Sequence, residues 1–177
     1  MTVSEYIVNF LAERGVDAVF MVTGGQAMFL NDAVYRRKGI TPIFHHHEQA
    51  AGMAAEAYGR ITGRPGVAMV TAGPGAINVL NGVVGAWVDS APMIVISGQS
   101  SLPHVQYMAS HPIRQYGIQG IYTKSVVAAV TKYFVTIDDP LQVRSHLAEA
   151  YYLATHGRNG PVWLEVPLDV QRMEVPG

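Results

Sequence analysis

The sequence predicts a three-layer α/β/α fold, with helices on both faces of a mainly parallel sheet of about six strands. Three observations lead there. Short apolar and β-branched runs alternate with longer segments of helical periodicity along the 177 residues. The short runs are continuously apolar, as strands buried on both sides are. Glycines close several of them, marking tight strand-to-helix turns.

The chain opens on a helix. In MTVSEYIVNFLAERG either Thr2 or Ser4 can cap it, Glu5 lies in its first turn, and it runs to about Glu13 with Gly15 as its stop. AVFMVTG, residues 18 to 24, reads as a buried strand closed by Gly24 and Gly25. A helix follows from roughly Ala27 to Arg37, and PIFHHH is a second strand. EQAAGMAAEAYGRITG is a helix beginning at Glu48, and its small residues allow close packing on its neighbours.

GVAMVTAG, residues 66 to 73, is a third strand that runs into the turn Gly73-Pro74-Gly75. AINVLNGVVGAWVDS is the next helix and MIVISG a fourth strand. From Gln99 to about Thr123 the chain is rich in Ser, Pro, His, Gln and Gly; a long loop with a broken helix is expected, the kind of segment that carries function. KYFVTI is extended, Asp139 and Pro140 start a helix through about His156, and GPVWLEVPLD is a last buried strand. Residues 1–172 form one domain, and 173–177 read as the start of a linker or tail. In such sheets ligands sit beyond the carboxyl ends of the strands, so the turns at Gly24, Glu48, Gly73 and Gly98 are expected on one rim.

Composition narrows the function. Hydrophobic residues make up 49% and charged residues only 14%, against a usual ~25%, so extensive burial against another subunit or domain is expected. With a net charge of −1 and no basic run, nucleic acid and anionic membranes are not expected partners. The absence of cysteine excludes disulfides, thiolate zinc sites and a cysteine nucleophile, and it suits a cytoplasmic location. No run approaches the ~18 apolar residues of a membrane span, and the first residues read as neither signal nor transit peptide.

Four local features bear on chemistry. His45, His46 and His47 before Glu48 invite a metal, but neighbouring strand residues point to opposite faces, so at most His45 and His47 converge. The glycines of VTGGQ and the GPG turn could cradle a phosphate, but they match neither G-x-G-x-x-G nor a P-loop, and lone glycine turns after strands are usually just turns. Ser97 and Ser100 lack a G-x-S-x-G elbow. Glu48 stands where an apolar strand meets an alanine-rich helix: desolvation there raises a carboxyl pKa and the helix N-terminus lowers it, and a capping role competes with a catalytic one.

The runs YIVNFLAERGVDAVFMVTGGQAMFLNDAV, HHHEQAAGMAAEAYGRITGRPGVAMVTAGPGAINVLNGVVGAWVDSAPMIVISGQ and YYLATHGRNGPVWLEVPLDVQ cover nearly the whole chain. They resemble the N-terminal pyrimidine-binding (PYR) domain of thiamine diphosphate enzymes of the acetolactate synthase-like group. The pattern H-E-Q-A-A-x-x-A-A-x-x-Y-x-R followed by V-T-x-G-P-G-x-x-N is specific in combination.

The resemblance implies the PYR type of thiamine diphosphate-binding fold. It implies that Glu48 hydrogen-bonds ring nitrogen N1′ of the cofactor's aminopyrimidine and acts as an acid/base relay on it. Gly24, Gly25, Thr71, Gly73, Pro74, Gly75 and Asn78 would line the cofactor, with Gln26, His47, Gln99 and Gln119 on the substrate side. The substrate implied is a 2-keto acid such as pyruvate.

Two departures from the family pattern stand out. In IRQYGIQGIYTKS, Gln119 remains while Gly120 and Tyr122 replace the usual acidic residues, which puts reaction specificity in doubt. The sequence also lacks the G-D-G motif with which the family binds the diphosphate and Mg2+, so the cofactor and its metal are expected to be shared with a diphosphate-binding domain or subunit in a homodimer or heteromer. The chain is then a split-enzyme subunit or a piece of a longer protein; a non-catalytic dimerisation module that kept the fold is the alternative.

Overall fold

Alternation along the strands explains the layers. In β1 (Ala18–Met21), Val19 and Met21 point into one core while Phe20 points into the other. The same split recurs in β3 (Gly66–Val70), β4 (Met93–Gln99) and β6 (Pro161–Pro167), where Met69, Ile96 and Leu164 face one side and Ala68, Val95 and Trp163 the other. With β2 (Thr41–Phe44) and β5 (Tyr133–Thr136) they form one six-stranded parallel sheet, ordered β2-β1-β3-β4-β6-β5. This is a computed structural model, and it describes residues 1–175. The expected three-layer α/β/α class is the observed one.

The first core lies under α1 (Val3–Glu13), α2 (Met28–Arg36) and α8 (Val143–Thr155); the second lies under α3 (Glu48–Thr62) and α5 (Leu80–Asp89). Thr2, rather than Ser4, caps α1, through a box in which the Thr2 hydroxyl accepts from the Glu5 N–H and the Glu5 carboxylate accepts from the Thr2 N–H. Helices α3 and α5 cross with their backbones in contact: a Cβ on Gly82 would lie 2.2 Å from the carbonyl carbon of Gly52. The small residues of α3 are what permit that approach.

Several expected boundaries shift. β1 ends at Met21, not residue 24, because the chain leaves the sheet to seat Gly24 against Thr71. A 3-10 turn over Gly25–Ala27 precedes α2. β2 ends at Phe44, and His47 caps α3, so the three histidines lie past the strand and strand alternation does not govern them. The helix expected from Ala76 starts at Pro74, where proline suits the first helical position, and breaks at Val79 into α4 (Pro74–Asn78) and α5.

Gly98 is no turn; β4 continues through it to Gln99, and its missing side chain admits the Gln26 backbone. The segment expected as a loop holds a regular helix, α6 (Leu102–Ser110), an irregular stretch over 111–122, and a short α7 (Thr123–Val127). In the expected tail, the Met173 carbonyl accepts from Val3 N–H and Val175 N–H donates to Met1, while residues 176–177 lie outside the described residues.

Candidate active site

The strand order places β2 and β3 on opposite sides of β1. The chain leaving β1 runs through α2 over one face, and the chain leaving β3 runs through α5 over the other. Such a switch point opens a crevice at the carboxyl ends of the two strands, where ligands of doubly wound sheets bind.

Glu48 stands at this crevice as the first residue of α3. It does not cap the helix, because His47 fills that role: His47 Nδ1 accepts from the Gln49 N–H at 3.1 Å. The Glu48 carboxylate is half-buried, and its Oε2 accepts from Asn78 Nδ2 at 3.0 Å, across from the end of α4. Among the described residues no protein donor reaches Oε1. That oxygen lies 3.2 Å from the position a Cβ on Gly75 would take, so glycine there lets the carboxylate lie against the turn.

Thr71 knits the two strand ends together. Its Oγ1 accepts from the Gln26 N–H at 3.2 Å, and its side chain fills the space a Gly24 side chain would need, 2.5 Å away. Gly73 adopts φ 58 and ψ −115, a conformation costly for any other residue, and faces the Gln119 carbonyl. Gln119 itself sits in the left-handed region at φ 57, a strain of about 1–3 kcal/mol that its packing must hold.

The structure therefore gathers Gly24, Gln26, Glu48, Thr71, Gly73, Gly75, Asn78 and Gln119 at one crevice. Pro74 is exposed at the start of α4, Gly25 has open space around its Cα, and His47 is exposed on the rim. Gln26 and Gln99 differ from the rest, because both side chains are buried. The Gln99 amide lies beneath the rim: its Oε1 accepts from Ser100 N–H at 2.9 Å, and its Nε2 donates at 2.9 Å each to the Ile121 carbonyl and Glu165 Oε1.

Glu165 was not singled out from the sequence. A lone acid inside the apolar run VWLEV was its signal. It is 2% exposed and also accepts from the Thr136 hydroxyl at 2.9 Å. Burial pushes its carboxyl above the usual range, against the pull of hydrogen bonds from Thr123, Thr136 and Gln99.

Gly120 likewise has a structural reason: a Cβ there would lie 2.0 Å from the Tyr116 carbonyl and 2.6 Å from Ser100 Oγ, so an acidic residue does not fit this loop as it is folded. Among the described residues no group of three or more His, Cys, Asp or Glu side chains is placed to hold a metal ion.

Chemically, the crevice presents a carboxylate oriented by an amide through one oxygen, with the other oxygen free beside a glycine-lined backbone. A family model described as "Thiamine pyrophosphate enzyme, N-terminal TPP binding domain" matches residues 1–126. The chain belongs to this thiamine pyrophosphate enzyme family. It is 37% identical over 172 residues to the acetolactate synthase large subunit of Lactococcus lactis, covering 97% of this chain and 28% of that protein.

The large subunit from Corynebacterium glutamicum is 35% identical over 175 residues, 99% of this chain and 27% of its own length. The isozyme 2 large subunit of Escherichia coli is 35% identical over 171 residues, with 97% and 30% covered. The chain thus spans roughly a quarter to three-tenths of the relatives it matches. The region matched to the thiamine pyrophosphate enzyme family holds every residue gathered at the crevice, but it ends before β5, α8 and β6 and so excludes Glu165.

Proposed function

We propose that this chain supplies the aminopyrimidine side of a thiamine diphosphate site in a 2-keto acid decarboxylase or carboligase of the acetolactate synthase type. The observation that carries the reading is the Glu48 carboxylate, held at Oε2 by Asn78 and free at Oε1, in a glycine-lined crevice at the switch point. A flat heteroaromatic ring with a protonatable nitrogen fits these residues. Gly75 lets the carboxylate lie against the turn, and Oε1 offers the partner for that nitrogen.

When bound, the cofactor supplies an electron sink for the carbanion left by decarboxylation. The residues of this chain do the rest of their half. Glu48 holds and moves a proton at Oε1, while the Asn78 amide fixes the carboxylate plane. Thr71 holds the first turn in place through the Gln26 N–H. His47 and Gln119, with side chains on the rim, face the keto acid; Gln26 and Gln99 act from beneath.

The diphosphate and its magnesium ion belong to a separate diphosphate-binding domain or subunit, since the sequence has no G-D-G motif. The assembly is a homodimer or heteromer, and a cysteine-free chain suits the cytoplasm.

The reading is tested by measuring pyruvate decarboxylation after mixing the chain with a diphosphate-domain protein encoded beside it, with thiamine diphosphate and magnesium present. Turnover is expected only with both proteins, and Glu48→Gln is expected to lower it by about 10²–10⁴-fold. Robust turnover by the pure chain would overturn the half-site reading. A mixture as active with Glu48→Gln as without it would leave the non-catalytic dimerisation module.

A further inference from the structure

We propose that Glu165 is a positioning residue for this crevice, acting through Gln99 to hold the 119–123 segment against the Gly73 turn. The proposal rests on the reading of the Glu48 crevice as the cofactor site, and it concerns residues of β4 and β6, further along the same sheet.

Hydrogen-bond chemistry fixes the direction of the chain of contacts. The Ser100 N–H can only donate, and it lies 2.9 Å from Gln99 Oε1, so the other end of that amide must be its NH2 group. That group has two protons and two acceptors at 2.9 Å, Glu165 Oε1 and the Ile121 carbonyl. The Thr123 hydroxyl also accepts from Gln99 Nε2, at 3.2 Å, and the Thr136 hydroxyl donates to Glu165 Oε2 at 2.9 Å. Two side-chain donors therefore converge on one buried carboxylate, and one of them is the group that grips Ile121.

Ile121 is two residues from Gln119, whose carbonyl and Cβ stand where a Gly73 side chain would be. Gly73 begins the turn whose Gly75 lies against Glu48 and whose Asn78 holds Oε2. Gln119 keeps its left-handed backbone at φ 57 only while the segment is gripped at both ends. One end is the Tyr116 N–H donating to the Gly120 carbonyl at 3.3 Å, and the other is Gln99. A carboxyl or carboxamide at residue 165 can anchor the Gln99 amide, because the Thr136 hydroxyl can turn to suit either; an alkyl side chain cannot.

The experiment uses the 177-residue chain itself and needs no cofactor, so it can fail or succeed independently of the catalytic reading. Amide hydrogen exchange is compared among wild type, Glu165→Gln and Glu165→Ala, with Asn78 side-chain amide resonances recorded on the same samples. In Glu165→Ala the amides of Gln119–Thr123 are expected to exchange at least about tenfold faster while those of β1 and α1 stay within about twofold. The Asn78 side-chain resonances move as well. Glu165→Gln restores both readouts.

Unchanged exchange in 119–123, or acceleration spread evenly over the whole chain, overturns the proposal, as does a shift that Gln fails to rescue. Should Glu165→Ala not fold, Gln99→Met replaces it: this cuts the link to Ile121 and leaves the carboxylate its Thr136 donor, with the same local acceleration expected.

Discussion

Gly73 shows what a single residue decides at this crevice. Its φ of 58 with ψ −115 and the Gln119 carbonyl 2.2 Å from its missing Cβ leave no room for a side chain. Gly73→Ala is expected to cost about 1–3 kcal/mol, read as a lowered urea midpoint with an unchanged slope. Glu48, by contrast, contributes little to the fold: among the described residues only Asn78 bonds its carboxylate. Its Gln variant is expected to melt within a few degrees of wild type while turnover collapses.

Glu165 gives a pH signature. Its carboxyl titrates above the ordinary value of 4.5 in the folded state, chiefly through desolvation. Stability from this group is present below the unfolded value and is lost as pH rises through the folded one. Glu165→Gln removes that slope. Chemical denaturation across pH 4 to 8 is expected to show a flatter profile for the variant, and parallel profiles would sink the idea.

Among the elements, α3 carries the most meaning. Its first residue is the site carboxylate, its small residues meet α5 backbone to backbone, and Gly63 at φ 69 ends it. The contact at Gly52 and Gly82 sets how close α5 lies, and α4 leads directly into α5, so the crossing also sets where Asn78 stands relative to Glu48. Gly82→Val is expected to push the helices apart and cost more than about 3 kcal/mol, beyond the usual range for one substitution. The Asn78 to Glu48 hydrogen bond is expected to be lost with it. A melting temperature close to wild type would show that the crossing relaxes without strain.

At the scale of the molecule, the surface bears the shortage of charge seen in the composition. Met53 and Ile61 on α3, and Val84, Trp87 and Val88 on α5, are exposed around the second core. An apolar face of this kind on a chain with only 14% charged residues favours association. Sedimentation equilibrium is expected to give a dimer, and Trp87→Lys to shift it toward monomer. A monomeric wild type would mean that the face waits for a different chain.

How much was legible differs by level. The layering, the parallel sheet and the start of α3 at Glu48 were readable, because hydrophobic period and capping act within a few neighbouring residues. The Gly-Pro-Gly turn beside Asn78 was readable too, although its being the first turn of a helix was not. The His triplet reads as strand in the sequence but lies beyond β2, because three neighbouring residues carry no sign of where sheet pairing stops.

By itself, the sequence determined the class of fold, the resemblance to thiamine diphosphate enzymes and the carboxylate that carries the proposed chemistry. Only the tertiary structure decided that Thr71 fills the hollow at Gly24, that Gln119 packs on Gly73, and that Gln99 turns inward to Glu165, 66 residues away. The physical reason is that strand order and close packing choose these partners across distances where local propensity has no say, and a buried polar group is satisfied by whichever neighbour the packing supplies.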